Sequence, residues 1–467
     1  MLNKLFPALV LLLLVTGCSM IPQYQQPKLP VADSWPMGEA YPETEKGMAA
    51  DIAWQDYFQS STLKTLISQA LENNRDLRVA VLNIEKAQAA YRIQRSDSLP
   101  TITANGSASR AGVPDDVSAT GKSYTANTFK ANLAMTAYEL DFFGRVKSLN
   151  QQALETYLAT EEAMTGTRIS LIAETANAYL SYLADRKLLQ LARDTASTQQ
   201  ETYEVVKRQF DVGSANQLDV AQASTAVESA RVSIAQYTRL VAQDKNALAL
   251  LVGGSVDEVL NCDETIDNVL FMAELPAGLP SQVLLARPDI QRAEHVLKAA
   301  NADIGAARAA LYPTISLTGS FGLASDSLDG LFQSGARYAW NFTPSLTIPI
   351  FNRGRLKASL DVAQVNEQIA ATQYEQAVQV AFREVADQLA ARGTYQSQLD
   401  AQNALVEATG QAYKLSTARY DSGIDNFLTV LDSQRSLFAA QQGAVNVKKA
   451  FMVNLVNLYK VLGGGRL

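Results

Sequence analysis

The chain has 467 residues, 40 Lys and Arg against 47 Asp and Glu, a formal net charge of −7, two cysteines and one histidine. Mild acidity without a basic cluster argues against a nucleic-acid partner. The single histidine, His295, excludes a histidine metal cluster, and its setting on a helix argues against a Ser-His-Asp triad. It is expected to be a plain surface or groove residue, and no enzymatic activity is predicted.

Residues 1–17 have the pattern of a lipoprotein signal peptide. Lys4 precedes an apolar run over 5–15 that is too short for a transmembrane helix, and small residues lead to Cys18. We expect cleavage before Cys18 and a covalent lipid on it, with Ser19 favouring transport to the outer membrane. An ordinary signal peptide with an incidental cysteine is the alternative. No later segment has about 18 uninterrupted apolar residues, so no membrane helix is predicted.

The segment 18–60 is interpreted as an acylated tether, because five prolines between positions 22 and 42 favour an extended chain without a core of its own. The second cysteine, Cys262, has no free partner once Cys18 is acylated, so no intramolecular disulfide is expected. No cofactor is expected beyond the lipid.

The rest of the chain contains one pattern twice, about 210 residues apart. Each copy predicts a short helix, a β-hairpin and a pair of long helices. The predicted organisation is a first repeat over 61–260, an equatorial linker over 261–285 and a second repeat over 286–467. The matching anchors are Leu99-Pro-Thr-Ile-Thr with Tyr312-Pro-Thr-Ile-Ser, Gly144-Arg-Val-Lys with Gly354-Arg-Leu-Lys, and Phe210-Asp-Val-Gly with Tyr420-Asp-Ser-Gly. One such unit cannot close a sheet alone, which points to a tube built from several copies.

The hairpins, 100–142 and 313–351, alternate apolar and small hydroxyl-rich residues with period two over runs of about ten residues, the length of a tilted membrane strand. Four strands cannot close a barrel, and open edges are not tolerated in lipid. Three chains would give twelve strands, so a homotrimer is predicted. A soluble sandwich is the alternative. Pro344 predicts a bulge or an early end of pairing in the fourth strand.

The long helix pairs are predicted over 145–252 and 355–462. The stretch 145–210 has no proline and one glycine, and some 65 helical residues would span roughly 100 Å. Heptad-like apolar spacing and many small residues suit helices packed side by side in a thin-walled cylinder. An isolated antiparallel coiled coil is the alternative. Shorter helices, about 62–97 and 286–311, are predicted before the hairpins.

Tight turns are predicted where the long helices end, at Gly213 and Gly423. Ser214 and Gln217 have capping-box spacing for the first return helix, and Asp425 is the expected N-cap of the second.

Acidic residues follow both turns. Asp432 lies one turn after Leu428 in the second copy, where the first copy has Gln222, and Asp219 is nearby in the first copy. If three chains meet at an axis, each such carboxylate becomes a ring of three. Crowded like charges near Arg435 can then close a pore. A solvated surface is the alternative for an exposed helical aspartate.

Several segments resemble the TolC superfamily, and within it the OprM-like branch of outer-membrane efflux lipoproteins. Beyond the repeat and the Cys18 motif, the segments that carry the resemblance are Tyr138-Glu-Leu-Asp-Phe-Phe-Gly-Arg145, Arg287-Pro-Asp-Ile290, Ala306-Ala-Arg-Ala-Ala-Leu-Tyr-Pro313 and Asn457-Leu-Tyr-Lys-Val-Leu-Gly-Gly-Gly465.

The resemblance implies a mixed α and β membrane protein. Three chains would form a twelve-stranded transmembrane β-barrel, with four strands from each, continuous with a twelve-helix periplasmic α-barrel. It implies localisation in the outer membrane, docking to a periplasmic adaptor protein and, through it, an RND-type pump in the inner membrane. The expected function is a passive exit duct for drugs or other small amphiphiles. A type I protein-secretion duct and a non-spanning coiled-coil lipoprotein are the alternatives.

The resemblance also assigns site residues at the helix tips. The gate is expected at Leu428, Asp432 and Arg435. Inter-helix links are expected at Tyr420 and Asp421. The adaptor is expected to contact the tips themselves, and the residues concerned are Val212, Gly213, Ser422 and Gly423.

Overall fold

The structure is a computed structural model that describes residues 19–41, 51–261, 263–269, 271–272, 275, 277–278, 280–332 and 337–466. The predicted signal peptide, the lipidation site Cys18 and the thiol of Cys262 lie outside these residues. The predictions made for them therefore stay predictions.

The elements follow the predicted repeat. The first copy comprises α1 (Trp54–Tyr57), α2 (Ser61–Asn73), α3 (Arg75–Ser96), β1 (Ile102–Val113), β2 (Tyr124–Leu140), α4 (Arg145–Asp211) and α5 (Gln217–Val252). The middle holds α6 (Asp257–Leu260) and α7 (Pro280–Ala286). The second copy comprises α8 (Pro288–Ala309), β3 (Thr314–Ser325), a short 3-10 turn (Asp329–Leu331), β4 (Arg337–Thr347), α9 (Arg355–Asp421) and α10 (Phe427–Val461). The four strands and the long helix pairs are confirmed, and α4 and α9 each have 67 residues.

The chain divides into two compact units. The sheet unit contains the described residues up to Pro27, Ile84–Thr160 and Arg292–Tyr374. The helical unit contains the described residues of Lys28–Asn83, Glu161–Gln291 and Glu375–Leu467. No helix in the described ranges combines the length and the apolar character needed to cross a membrane.

The sheet is antiparallel with the order β1-β2-β3-β4, so the hairpins of the two repeats pair through β2 and β3. Large apolar side chains lie exposed on the strands; among them are Phe321, Tyr338, Trp340, Phe342 and Leu346. An exposed apolar surface of this kind fits lipid rather than water. The strands β1 and β4 are the two edges of the sheet in the single chain.

The prediction of a bulge or an early end of pairing at Pro344 is wrong. Pro344 pairs with Leu317 without a shift in register, and the regular pairing of β4 with β3 continues to Thr347. The register shifts instead in β2, between Met135 and Tyr138. Ala137 has a φ of 52° there, and its N–H donates to Thr318 Oγ1 at 3.2 Å. The bulge therefore belongs to the second strand.

The single helix predicted over about 62–97 is divided at Asn74. The Asn74 side chain accepts hydrogen bonds from the N–H groups of Asp76 and Leu77, at 2.9 and 3.1 Å, which caps α3. Its amide also donates to the carbonyl of Leu251 at 2.9 Å. The buried side chain of Asn74 thus separates α2 from α3 and caps the start of α3.

Several aromatic side chains of the segment predicted as a tether are packed against the rest of the chain. In the helical unit, Tyr57 is fully buried, its ring stacks on Tyr459 at 4.2 Å, and its hydroxyl donates to the Leu455 carbonyl at 2.9 Å. Trp35 stacks on Phe382 at 5.1 Å. The described part of the segment thus contributes large aromatic side chains to a core formed by distant residues.

In the sheet unit, the segment 138–145 that leads into α4 has a structural role. Arg145 Nε donates to Glu139 Oε1 at 2.9 Å, and Gly144 takes a φ of 72° at the start of the helix. His295, expected as a plain surface or groove residue, is mostly buried, and its Nδ1 lies 2.6 Å from Glu155 Oε2. This residue therefore packs α8 against α4 rather than facing solvent.

Arg287 has an equivalent role in the helical unit. Its buried guanidinium lies 2.7 Å from the carboxylates of both Asp289 and Glu384, and it donates to the carbonyl of Val461 at 3.0 Å. These bonds satisfy a charge that would be costly to bury alone. They also hold the end of α10 beside the start of α8.

A pair of carboxyl groups lies between α4 and α5. Burial of the Asp244 carboxyl is the largest cause of its raised pKa. The charge of the buried Asp185 and a hydrogen bond with it raise the pKa further, and Lys449 opposes the shift. The pKa of Asp244 rises to about 7. The carboxyl of Asp244 is therefore protonated in the folded protein over a range of pH in which it is ionised in the unfolded chain.

We expect Gly322→Ala to impair assembly. A β-carbon at this position would overlap the backbone of Ala131 and Asn132 on β2, so the β2–β3 ladder must separate. Overpacking of this kind costs roughly 1–3 kcal/mol. The measurement is the yield of folded, membrane-inserted protein. Gly106→Ala is the matched control, because a β-carbon at Gly106 meets nothing within 4 Å. Equal yields for the two variants would contradict the role of Gly322.

We expect Asp244→Asn to stabilise the protein at pH 8 and to stabilise it less at pH 5. A raised folded-state pKa means that the folded protein holds the extra proton between about pH 4 and pH 7, so stability falls as pH rises through that window. Allowing for screening by solvent, the gain at pH 8 is about 1–2 kcal/mol. Thermal unfolding in detergent at both pH values is the measurement.

The exposed Asp194→Asn, on the same helix as Asp185, is the control. Its effect should be the same at pH 5 and pH 8. A pH-independent effect of Asp244→Asn as well would show that the pair does not titrate in this window.

Candidate functional site

The ends of the long helices form two tight turns. Gly213 and Gly423 take φ values of 79° and 73°, the left-handed conformation that stops a helix. In the first turn the Ser214 N–H donates to the Gln209 carbonyl at 2.8 Å, and in the second the Ile424 N–H donates to the Arg419 carbonyl at 2.9 Å. The predicted turns are confirmed, and the same backbone geometry occurs in both repeats.

The capping box predicted for Ser214 and Gln217 is wrong. The box is formed by Asn216 and Asp219: the Asp219 N–H donates to Asn216 Oδ1 at 2.9 Å, and the Asn216 N–H donates to Asp219 Oδ2 at 3.2 Å. Since α5 begins at Gln217, the capping position is the residue before it. Asp219, predicted as a gate residue, therefore has a capping role in the single chain.

The N-cap predicted at Asp425 is also wrong. Asn426 caps α10 by accepting from the Thr429 N–H at 3.2 Å, because the helix begins one residue later than expected. Asp425 instead accepts two hydrogen bonds from Arg419, at 2.6 and 3.0 Å. This guanidinium lowers the pKa of Asp425. The pair is exposed to solvent, so it orders the turn more than it stabilises the fold.

A hydrophobic cluster joins the two helix hairpins near their tips. Its buried members come from α4, α5 and α10, and they are Val206, Ala223, Phe427, Val430 and Leu431. Tyr420, at the end of α9, packs against the cluster, and its hydroxyl donates to Gln209 Oε1 on α4 at 2.8 Å. Burial and then the charge of Asp219 raise the pKa of Tyr420. The structure thus brings Tyr420, Gln209 and Asp219 together and links the two hairpins of one chain.

The predicted gate residues lie on α10, just beyond this cluster. Leu428 is 43% exposed, although it is apolar. Asp432 forms an ion pair with Arg435, and both side chains are more than half exposed. On successive turns, α10 therefore presents an apolar side chain and an ion pair, and both are exposed in the single chain.

The residues predicted to contact an adaptor are on the surface of the tips. Val212 is 81% exposed, which is unusual for a valine in a single chain. Ser422 is exposed and its hydroxyl donates to the Ala418 carbonyl at 2.8 Å. Asp421, the second predicted link residue, is exposed beside Tyr420. The tips therefore offer solvent-facing side chains on a rigid turn.

Two groups near this site were not anticipated from the sequence. Gln209 was not singled out because nothing in its local pattern shows a partner 211 positions away. Arg419 was not singled out either, although an Arg six residues before an Asp across a glycine turn is a signal for a fork-shaped ion pair. Within the described ranges, no set of three or more His, Cys, Asp or Glu side chains is placed to hold a metal ion.

The comparisons with known proteins agree along almost the whole chain. The family model described as "Outer membrane efflux protein" matches residues 66–254 and 279–464. The "Probable efflux pump outer membrane protein TtgC" of Pseudomonas putida KT2440 is 49% identical over 467 residues, covering 100% of this chain and 96% of the relative. The "Outer membrane protein OprJ" of Pseudomonas aeruginosa PAO1 is 42% identical over 459 residues, covering 98% and 95%.

Solved structures confirm the predicted fold class. The open state of the MtrE outer membrane channel of Neisseria gonorrhoeae has a TM-score of 0.88 at 41% identity, covering 96% of this chain and 98% of the other. A membrane protein of Pseudomonas aeruginosa has a TM-score of 0.90 at 41% identity, covering 96% and 100%. These neighbours are trimeric channels of the TolC type. With its repeat, four-stranded sheet and long helix pairs, this chain belongs to the outer membrane efflux protein family and is an outer-membrane channel of an efflux system.

Proposed function

We propose that the chain forms, as a homotrimer, the passive exit duct for small apolar or amphiphilic compounds in a tripartite efflux system. The observation that carries this proposal is the open sheet. The strands β1 and β4 are edges in the single chain, while the strand surface is apolar. Unpaired backbone groups are not tolerated in lipid, so other copies must supply the missing strands. Three copies supply twelve.

The substrate class comes from the relatives. Proteins 46–49% identical to this chain are named as antibiotic, toluene and solvent efflux pump outer membrane proteins. A duct of this kind needs no catalytic group, and we propose no enzymatic activity. Energy would come from an RND-type pump in the inner membrane, reached through a periplasmic adaptor at Val212, Gly213, Ser422 and Gly423. A lipid on Cys18 would anchor each chain to the outer membrane.

The gate we propose is formed by α10. Around a three-fold axis, Leu428 becomes an apolar ring and Asp432 a ring of carboxylates, each beside an Arg435. Like charges at close range are unfavourable unless cations neutralise them, so the closed state depends on these arginines. The bond from Tyr420 to Gln209 holds the two hairpins of each chain together. An adaptor that spreads the hairpins would break this arrangement and open the duct.

The mass and conductance of the detergent-extracted particle test the proposed function. Light scattering should give a protein mass of about three chains, and planar bilayers should show channels. Vesicles containing the protein should release a trapped aromatic solute and retain a trapped protein. A monomer that needs no detergent would overturn the duct. Release of the protein would favour a protein-secretion duct instead.

We expect Asp432→Ala to raise single-channel conductance several-fold, and the double variant with Leu428→Ala to raise it further. The first change removes the charge that pairs with Arg435, and the second removes the apolar ring. The exposed Asp400→Ala on α9 is the matched control and should conduct like the wild type. If both gate variants form intact trimers and conduct like the wild type, the gate is not on α10.

A further inference from the structure

The two helices joined to the free edges of the sheet are α3 and α9. Along the chain, α3 precedes the edge strand β1, and α9 follows the edge strand β4. The central strands β2 and β3 are joined to α4 and α8. These two helices pack on each other in the sheet unit, where Nδ1 of His295 lies 2.6 Å from Oε2 of Glu155. The order of the strands therefore makes α3 and α9 the helices that a neighbouring copy in a closed barrel would meet.

The contact between α4 and α8 is a template for a contact between copies. The anchors that precede the hairpins are 213 residues apart in the two repeats, and those at the start of the long helices are 210 residues apart. With these offsets, His295 on α8 corresponds to Leu82 on α3, and Glu155 on α4 corresponds to Val365 on α9. The contact inside the chain thus has an acid and a base, and the equivalent positions on the free sides have two aliphatic residues.

Both aliphatic side chains are half exposed and belong to apolar stripes. Leu82 is 48% exposed and Val365 is 52% exposed. The exposed apolar members of the stripes are Val79, Leu82 and Ile93 on α3 and Val362, Val365 and Ile369 on α9. Their spacing keeps them on one face of each helix, which is the pattern of a coiled-coil contact. Stripes of this kind are expected against another helix rather than against water.

We propose that α9 of one copy packs antiparallel along α3 of the next, with Val365 against Leu82 of the partner subunit. The direction follows from the template: α8 leads into β3 and α4 leads away from β2, and in the same way α3 leads into β1 and α9 leads away from β4. This inference rests on the proposed homotrimer and names the helix surface that joins its copies.

The different chemistry of the two contacts determines which helices can pair. If α4 met α3 of another copy, Glu155 would be buried against Leu82 of the partner subunit without its histidine, and an uncompensated carboxylate in an apolar contact is costly. If α9 met α8 of another copy, Val365 would face an imidazole without its acid. The acid–base pair therefore reserves α4 and α8 for the contact within the chain, and the aliphatic pair reserves α9 and α3 for the contact between copies.

Crosslinking of the detergent-extracted particle tests this contact. In a Cys262→Ser background, the double variant Leu82→Cys with Val365→Cys is treated with a short bismaleimide and run on a denaturing gel. Covalent trimers should be the main product, because each chain then has a thiol at both of its contacts. Coexpressed chains that carry the two changes singly should give covalent dimers, and either single variant alone should stay monomeric on the gel.

The matched control is Leu82→Cys with Asn366→Cys. Asn366 is exposed and follows Val365 on α9, which turns it by about 100° away from the stripe. This pair should give several-fold less covalent product. A particle with the mass of three chains in which both pairs crosslink equally poorly would overturn the contact and leave the proposed duct standing. A monomeric particle would overturn both.

A charge exchange tests the same contact without a crosslinker. Val365→Glu places a carboxylate against Leu82 of the partner subunit and should lower the fraction of trimer several-fold during titration with detergent. Adding Leu82→His recreates the acid–base pair seen inside the chain and should return the fraction of trimer to near that of the wild type. Asn366→Glu is the control and should assemble like the wild type. Unimpaired assembly of Val365→Glu, or no recovery when Leu82→His is added, would overturn the proposal.

Discussion

Hydrogen bonding of the sheet edges in lipid is the constraint on which the rest of this molecule depends. A chain with four strands has two edges, and the apolar side chains on β3 and β4 point to lipid as their surroundings. In water the edges of such a sheet can be solvated, but in lipid each unpaired group costs several kcal/mol. Assembly of copies is thus required by the backbone before any side chain is considered. The pairing of β2 with β3 joins the hairpins of the two repeats, and its register from Phe129 with Ser325 to Leu140 with Ile315 includes the bulge.

The two helix tips show how a repeat can keep its backbone and change its chemistry. Both turns need a left-handed residue, so both have glycine, and both return helices are capped by asparagine. The carboxylates differ in position and therefore in partner. In the first tip Asp219 is the third residue of α5 and completes a capping box. In the second tip Asp425 precedes the cap and pairs with Arg419, which leaves Asp432 as the next carboxylate along α10. In the second tip, Asp425 and Asp432 are consequently paired with arginines rather than used as helix caps.

Local patterns were sufficient to predict the long elements. The helices beginning at Arg145 and Arg355 were predicted at these residues, because proline-free stretches between glycine turns have few alternatives. The break at Asn74 was not predicted, since its cause is a bond to the Leu251 carbonyl, 177 residues away. The packing of Tyr57 on Tyr459 and the carboxyl pair of Asp185 and Asp244 are equally non-local. The resemblance assigned Leu428 and Asp432 to the gate, and the structure shows them exposed on one helix. Their proposed meeting across chains would be a property of the assembly, which no pattern within one chain encodes.

Imperfect polar contacts lie between the helices whose relative movement the proposed gating requires. Gln199 Oε1 and Asp244 Oδ2 are both buried without a partner among the described residues, and both lie between the helices of the first hairpin and α10 or its neighbours. Each such group costs about 1–3 kcal/mol relative to a satisfied one. A cost of this size destabilises the closed packing and so lowers its free-energy advantage over a second packing of the same helices. That free-energy difference is what an adaptor or a bound ligand must overcome. A fully satisfied interface would fix one packing. Helices that move during opening are held together by the hydrophobic cluster near their tips, while the unpaired polar groups beside this cluster keep the rest of the interface easier to repack.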